Sequence, residues 1–286
     1  MSFRMFSCFC QLKKSILILK EVEKLVGLGL PRGLSISPVL SEIFMKEIDK
    51  KIIRMPEVYY YARYVDDIVI ISFHKSEFLY TDVSDIFKSH NLYFNNKKYI
   101  GNISKIGGER KEVMKFDYLG YKYVITNDFY NEKRMVNVEL SEDKKRKIKT
   151  RIIHALLDRV HNTKTIEKDK LLLKRLKLLS SNYPISKYDD EKGCIKVGIF
   201  YSHKLVNKSG IFNEFNVFLA KALFSNKDNF FGRSTSKIPY EEKTNIINNI
   251  CFVNGFKDKV FLDESIESMN QLKACWRNKR HKKAGK

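Results

Sequence analysis

Cysteine is scarce and shows no pairing pattern. Cys8, Cys10, Cys194, Cys251 and Cys275 are an odd number in 286 residues, and no C-x-x-C spacing occurs. Neither a disulfide framework nor a zinc ribbon is supported, so a reducing, cytoplasmic setting is the expectation. Long apolar runs are also missing. None approaches 18 residues, which excludes a transmembrane helix and leaves no membrane association to expect. The first 20 residues are broken by Arg4, Gln11, Lys13 and Lys14, without the basic, apolar and small-residue order of a signal peptide. Acidic residues are in deficit: 33 Asp and Glu stand against 54 Lys and Arg, a net charge of +21. Such a surplus points to a polyanion, because Lys and Arg displace the counterions condensed on phosphates. Nucleic acid is favoured over an anionic membrane surface. The hydrophobic fraction of 43% excludes a disordered chain.

Proline is rare too, yet two of the five stand in GLGLPRGLSISP, Gly27 to Pro38, with three glycines. That stretch breaks regular structure. Before it, Leu17, Ile18, Val22, Leu25 and Val26 suggest a short helix. After it, Ser37-Pro38 reads as a helix N-cap and first turn. The helix would bury Val39, Leu40, Ile43, Phe44, Ile48 and Ile52, and end at Met55-Pro56. Val58–Tyr64 and Ile68–Phe73 read as strands joined by a Val65-Asp66-Asp67 turn. A helix over about 82–90 follows, then β-type runs at 92–95, 99–106, 118–125 and 134–140. Gly107-Gly108 and Asn127-Asp128 are turn candidates; no Gly-Lys-Ser/Thr follows the glycines to make a phosphate loop. From Ser141 onward the chain becomes helical and basic. Ile148, Ile152, Leu156 and Val160 form one stripe, with Lys and Arg crowding the rest, and a second basic helix covers about 168–181. A strand over 195–201 precedes helices at 213–224, 240–249 and 265–276. His154 and His161 share a face but have no further ligand, and Trp276 reads as a core anchor. The expected division is therefore 1–140, 141–276 and a basic tail, 277–286.

Asp66 and Asp67 sit between two apolar, strand-forming runs, where an unpaired charge is costly. Asp at a hairpin turn is a common structural feature, and Tyr-x-Asp-Asp alone arises by chance in roughly one chain in 30 of this size. A metal site is the other reading. Mg²⁺ takes one or two carboxylates plus substrate phosphates and water, and two such ions can hold both the attacking and the leaving oxygen of a phosphoryl transfer.

The surrounding blocks decide between them. Pro31-Arg32-Gly33-x-Ser35-x-Ser37-Pro38-x-Leu40, Tyr64-Val65-Asp66-Asp67, Asn95-Asn96-Lys97-Lys98 and Phe116-Asp117-Tyr118-Leu119-Gly120-Tyr121 stand in the order of the palm of a reverse transcriptase, which residues 27–125 resemble. Bacterial group II intron, retron and phage-defence enzymes are the nearer likeness, and Arg175–Tyr183 with Val197–Tyr201 resembles the defence group. The resemblance implies an α+β fold: a right-hand polymerase palm, an antiparallel sheet with helices, followed by a mainly helical thumb. It implies RNA-directed DNA polymerase activity with Mg²⁺, or Mn²⁺ in its place. The partners implied are an RNA template, a DNA or RNA primer and dNTPs, and further ones open to it are a non-coding RNA or a second polypeptide. By the same resemblance Asp66 and Asp67 are metal ligands and Lys98 (with Lys97 as alternative) serves the pyrophosphate. Tyr64 and Val65 border the primer end. Pro31, Arg32, Gly33 and Ser37 lie near template and nucleotide, Gly33 allowing close approach. Leu119 and Gly120 belong to the primer grip. Arg32 replaces the Gln often found there.

One element of the pattern is absent. The family's first catalytic aspartate precedes the Pro-x-Gly block, but this sequence has no Asp before Asp49 and no Glu before Glu21. The finger segments and the first palm strand are expected to be missing as well. Three readings remain: a fragment of a longer enzyme, one part of a split enzyme whose second polypeptide supplies the fingers and the missing Asp, or a scaffold that only binds nucleic acid.

Overall fold

The computed structural model describes residues 14–19, 22–23, 34–73, 76–94, 98–103, 112–128, 133–161, 168–185, 195–262, 264 and 266–277. Pro31, Arg32, Gly33, Asn95, Asn96, Lys97, Gly107, Gly108 and the tail beyond Arg277 lie outside them. The fold is α+β, with small antiparallel sheets. It divides into two compact units, Met1–Asn137 and Val138–Lys286.

The first unit is built on a four-stranded sheet of order β3 (Val58–Tyr64), β4 (Asp67–Ser72), β1 (Lys14–Leu19) and β6 (Tyr99–Ile103). β1 is antiparallel to both neighbours, with Leu19 opposite Ile68 and Ile18 opposite Tyr99. The helix suggested by Leu17 and Ile18 is thus a strand. β4 and β6 each need a backbone partner on their inner edge, and an extended Lys14–Leu19 satisfies both.

Alternation along β4 explains its unbroken apolar run. Ile68 and Ile70 join one core with Met45, Ile48 and Ile52 of α1 (Ser37–Ile53) and Val83 of α2 (Ser76–Lys88). Val69 and Ile71 face the other way, against Met114, Phe116 and Tyr118 of β7 (Glu112–Tyr118) and Ile125 of β8 (Tyr121–Asp128). A two-residue β5 (Tyr93–Phe94) pairs with β2 (Val22–Glu23). β9 (Lys133–Leu140) completes the β7-β8-β9 sheet and leads on into the second unit.

Several expectations need correction. Ser37 is the first helical residue rather than the cap, which is Ile36, a one-residue shift. Only the second half of α1 is buried. Val39, Leu40, Ile43 and Phe44 are exposed, because α2 and β4 cover the later turns only. α2 begins at Ser76, six residues early. The run 118–125 is not one strand: the chain reverses at Leu119-Gly120, where both φ angles are positive, 49° and 76°. Asn127 and Asp128 end β8 rather than forming a turn.

The second unit is mainly helical. α3 (Glu142–His161) is capped by Ser141, whose Oγ accepts from Lys144 N at 3.4 Å. Its stripe of Ile148, Ile152 and Leu156 is buried, and Trp276 anchors it by donating Nε1–H to Arg151 O at 3.0 Å. α4 (Lys168–Ser180) buries Leu172 and Leu176, and with them Arg175, which is ion-paired with Asp158. A short hairpin, β10 (Asn182–Pro184) and β11 (Lys196–Gly198), precedes α5 (Asn213–Leu223), α6 (Phe230–Thr235), α7 (Tyr240–Asn249), α8 (Phe252–Lys257) and α9 (Ile266–Arg277). The strand expected over 195–201 stops at Gly198, where φ is +124° and an added Cβ would lie 2.3 Å from Ser181 O.

Candidate active site: the Asp66–Asp67 hairpin

β3 and β4 close on a two-residue turn, Val65-Asp66, with Tyr64 paired to Asp67. Val65 has φ +59°, and Asp66 is not in the positive-φ region. That combination has the φ signs of a type II′ turn, whose first central position favours glycine. A β-branched residue there is strained by about 1–3 kcal/mol. The turn stands proud of the sheet: Tyr64 is 64% and Val65 59% exposed, Asp66 is exposed, and Asp67 is half-buried.

A buried guanidinium holds this turn. Arg63 Nη1 donates to Val65 O at 3.0 Å and to Glu42 Oε1 at 2.9 Å. Nη2 donates to Glu42 Oε2 at 2.7 Å and Asp49 Oδ2 at 2.8 Å, and Nε to Asp49 Oδ1 at 3.0 Å. These contacts occupy all five N–H groups of the fork. Tyr61 donates its hydroxyl to Asp49 Oδ1 at 2.5 Å. The consequences are electrostatic as well as geometric. The hydrogen bond from Arg63 holds the Glu42 carboxyl below its ordinary range. Burial, then the hydrogen bond to Asp49, pushes the Tyr61 phenol far up. Asp49, the first Asp of the sequence, is therefore a structural partner of Arg63. Sequence reasoning passed over this network. Its signal was Glu42 and Asp49 seven residues apart, on one helix face, with an arginine directly before the tyrosine of the motif.

Parity along β4 turns Asp67 toward the side of Val69 and Ile71, where the β7–β8 hairpin packs. Tyr118 reports the approach. Its phenol is pushed up to about 12, by burial first and then by the charge of Asp67. Leu119 and Gly120 form the tip just beyond Tyr118. Lys98 precedes β6, and Asp67 opens β4. From the registers with β1, both lie at one end of the sheet with β1 between them, about 10 Å apart at the backbone. The Lys98 ammonium rests 3.8 Å from the centroid of the Tyr80 ring. Ser37 opens the helix that carries Glu42 and Asp49.

The pair suits one hard cation shared with substrate phosphates, since Mg²⁺ needs no more than one or two protein carboxylates. A two-metal arrangement needs a further carboxylate. Among the described residues no group of three His, Cys, Asp or Glu side chains could hold a metal ion, and β1, bonded to β4, is Lys-Ser-Ile-Leu-Ile-Leu, without an acidic residue.

Comparison with known families places one match on this unit. Residues 3–123 match the family model described as reverse transcriptase (RNA-dependent DNA polymerase). No curated protein and no solved structure matches the chain. No helix among the described residues is long and apolar enough to cross a membrane.

Proposed function

We propose that the chain, whose residues 3–123 match the reverse transcriptase family model, takes part in RNA-directed DNA synthesis, with Asp66 and Asp67 as the carboxylates of the transfer site. The observation that carries this reading is the strained, exposed turn held by Arg63. A turn that keeps β-branched Val65 at φ +59° while Arg63, itself fixed by Glu42 and Asp49, holds Val65 O is a strained turn fixed in position.

In this reading Asp66 and Asp67 hold Mg²⁺, or Mn²⁺. When bound, the cation supplies charge stabilisation for the moving phosphoryl group. The chain's own residues do the remaining work. Tyr64 and Val65 border the primer 3′ end, and the Tyr118–Gly120 tip fixes the primer strand beside Asp67. Lys98, whose ammonium rests on the Tyr80 ring at the α2 side of the sheet, offers positive charge to the departing pyrophosphate once it swings off that ring, and Pro31–Ser37 serve template and dNTP. The basic helices α3 and α4 act as the thumb and contact duplex phosphates without reading sequence.

Among the described residues no third carboxylate joins Asp66 and Asp67. Val39, Ile43 and Phe44 expose an apolar face on α1, all within one helical turn of the Glu42 that holds Arg63. We propose that a finger-bearing segment, in cis or on a second polypeptide, covers this face and brings the third acid. The competing reading, a nucleic-acid-binding scaffold without catalysis, is favoured by the acid-free β1. Primer extension on RNA and DNA templates separates them. Extension that needs Mg²⁺ and is abolished in Asp66→Ala overturns the scaffold reading. Tight binding without extension, even after a finger segment is supplied, overturns the enzyme. A place in antiphage defence rests on the likeness of residues 175–183 and 197–201 to that group, and loss of phage protection in an Asp66→Ala strain would test it.

A further inference from the structure

In the second unit, far along the chain from the Asp hairpin, a buried asparagine assembles a different surface. Asn182 is fully buried. Its Nδ2 donates to Gly255 O at 3.0 Å and Val260 O at 3.1 Å. Its Oδ1 accepts from Phe200 N at 2.9 Å and Tyr201 N at 3.4 Å. Its backbone bonds Val260 O and Leu262 N at 2.8 and 2.7 Å. Two segments remote in sequence, 200–201 and 260–262, are thereby fixed side by side, and their aromatic rings meet. Tyr201 and Phe261 have centroids 5.7 Å apart, and Phe200 and Tyr201 5.2 Å apart. Phe261 is 46% exposed.

Three exposed lysines converge on these rings. Lys196 lies 5.8 Å from the Tyr201 centroid and 5.6 Å from that of Phe261, Lys204 lies 5.2 Å from Tyr201, and Lys259 lies 4.8 Å from Phe200. All are within cation–π range. Among the described residues none of the three has a carboxylate within ion-pair distance. Asp258, beside Lys259, is the nearest acid along the chain. Lys259 also has φ +52°, just past the end of α8, where glycine is the usual residue. A cation at positive φ, two further cations without an ion-paired carboxylate among the described residues, and accessible ring surface built on a rigid asparagine clamp are what unpaired bases and their phosphates require.

We propose that Lys196, Lys204, Lys259, Tyr201 and Phe261 form a binding surface for single-stranded nucleic acid, with bases stacked on the rings and phosphates at the lysines. A duplex fits poorly, since its base faces are already stacked on one another. The surface is independent of the Asp66–Asp67 site and would serve a template strand ahead of the duplex or a bound RNA equally.

The test uses the full chain and fluorescence anisotropy with 12-nucleotide single-stranded RNA, single-stranded DNA and a blunt duplex, over a series of salt concentrations. Single strands should bind more tightly than the duplex. Phe261→Leu should weaken single-strand binding roughly 5- to 100-fold. Lys196→Gln/Lys204→Gln/Lys259→Gln should reduce the slope of log K against log salt by about 2. A 5-iodouridine oligonucleotide irradiated with the wild-type chain should crosslink within the peptides carrying Tyr201 or Phe261, a readout that no variant's folding can disturb. Affinity unchanged in both variants, or crosslinks confined to other peptides, would overturn the proposal. So would binding to anionic vesicles that the triple Gln variant loses while oligonucleotide binding stays intact.

Discussion

Replacing Arg63 with alanine removes the one group that joins α1, β3 and the Asp66 turn. The guanidinium is 6% exposed, Asp49 is 21% exposed and Glu42 60%. Breaking a fully buried ion pair costs about 3–5 kcal/mol, because the partner is left charged and dry. Here solvent reaches Glu42 freely and Asp49 in part, so a loss of about 2–4 kcal/mol is expected, the larger part from Asp49. In a unit of this size each kcal/mol moves the midpoint by roughly 3–5 °C, which places the Arg63→Ala melt roughly 6–20 °C below wild type. pH supplies a second reading. Arg63 lowers the folded-state pKa of Glu42, so that contribution is complete above the unfolded value of about 4.3 and is lost as pH falls through the depressed folded value. The gap between wild type and variant should narrow in acid. Thermal unfolding by circular dichroism from pH 7 to pH 3 measures both. A variant melting within 2 °C of wild type at pH 7, or a gap that widens in acid, would refute the network's role. Arg63→Lys should recover little, since a point charge cannot satisfy Glu42, Asp49 and Val65 O together.

Three further outcomes follow from the same geometry. Val65→Gly should leave the melting point unchanged or raise it slightly, within about 1 kcal/mol, because glycine adopts φ +59° freely while its added chain entropy offsets part of the gain; a loss above 1 kcal/mol in denaturant titration would show that the turn is not strained. The Tyr118 phenol, at about 12 in the wild type, should titrate lower in Asp67→Asn, since removing a neighbouring negative charge eases tyrosinate formation; ¹³Cζ-tyrosine NMR reads this, and an unmoved Tyr118 resonance would separate the two hairpins. Gly255→Ala should cost about 3 kcal/mol or more, because the new Cβ would sit 1.6 Å from Ser180 O, a backbone atom; wild-type stability in urea would contradict that packing of α8 on α4.

How much of this could be read from sequence depended on whether the cause was local. β3 and β4 were legible because alternation, flanking breaks and a short turn all act within a few residues. The order of its neighbouring blocks singled out the Asp pair, and the structure puts it at an exposed hairpin turn. The outward face of Val39, Ile43 and Phe44 was not, since helical spacing fixes a face but not whether anything covers it. The turn at Leu119-Gly120 hid inside a continuous β-forming run, where only the glycine hinted at a reversal. β1 was misread because its conformation is set by two distant strand edges rather than by its own residues. Asn182 and Arg63 escaped for the same reason: a polar residue's role is decided by partners up to 78 positions away.

The central claim is that the Asp66 turn performs nucleotidyl transfer, and single-nucleotide addition to a primer annealed to RNA tests it most directly. Wild-type chain, supplied with a finger-bearing segment and Mg²⁺, should extend the primer by one nucleotide. Asp66→Asn, which keeps the size of the side chain and removes the charge, should lose roughly 100-fold or more of that rate while binding the primed template as before. Equal extension by the two proteins would contradict the account.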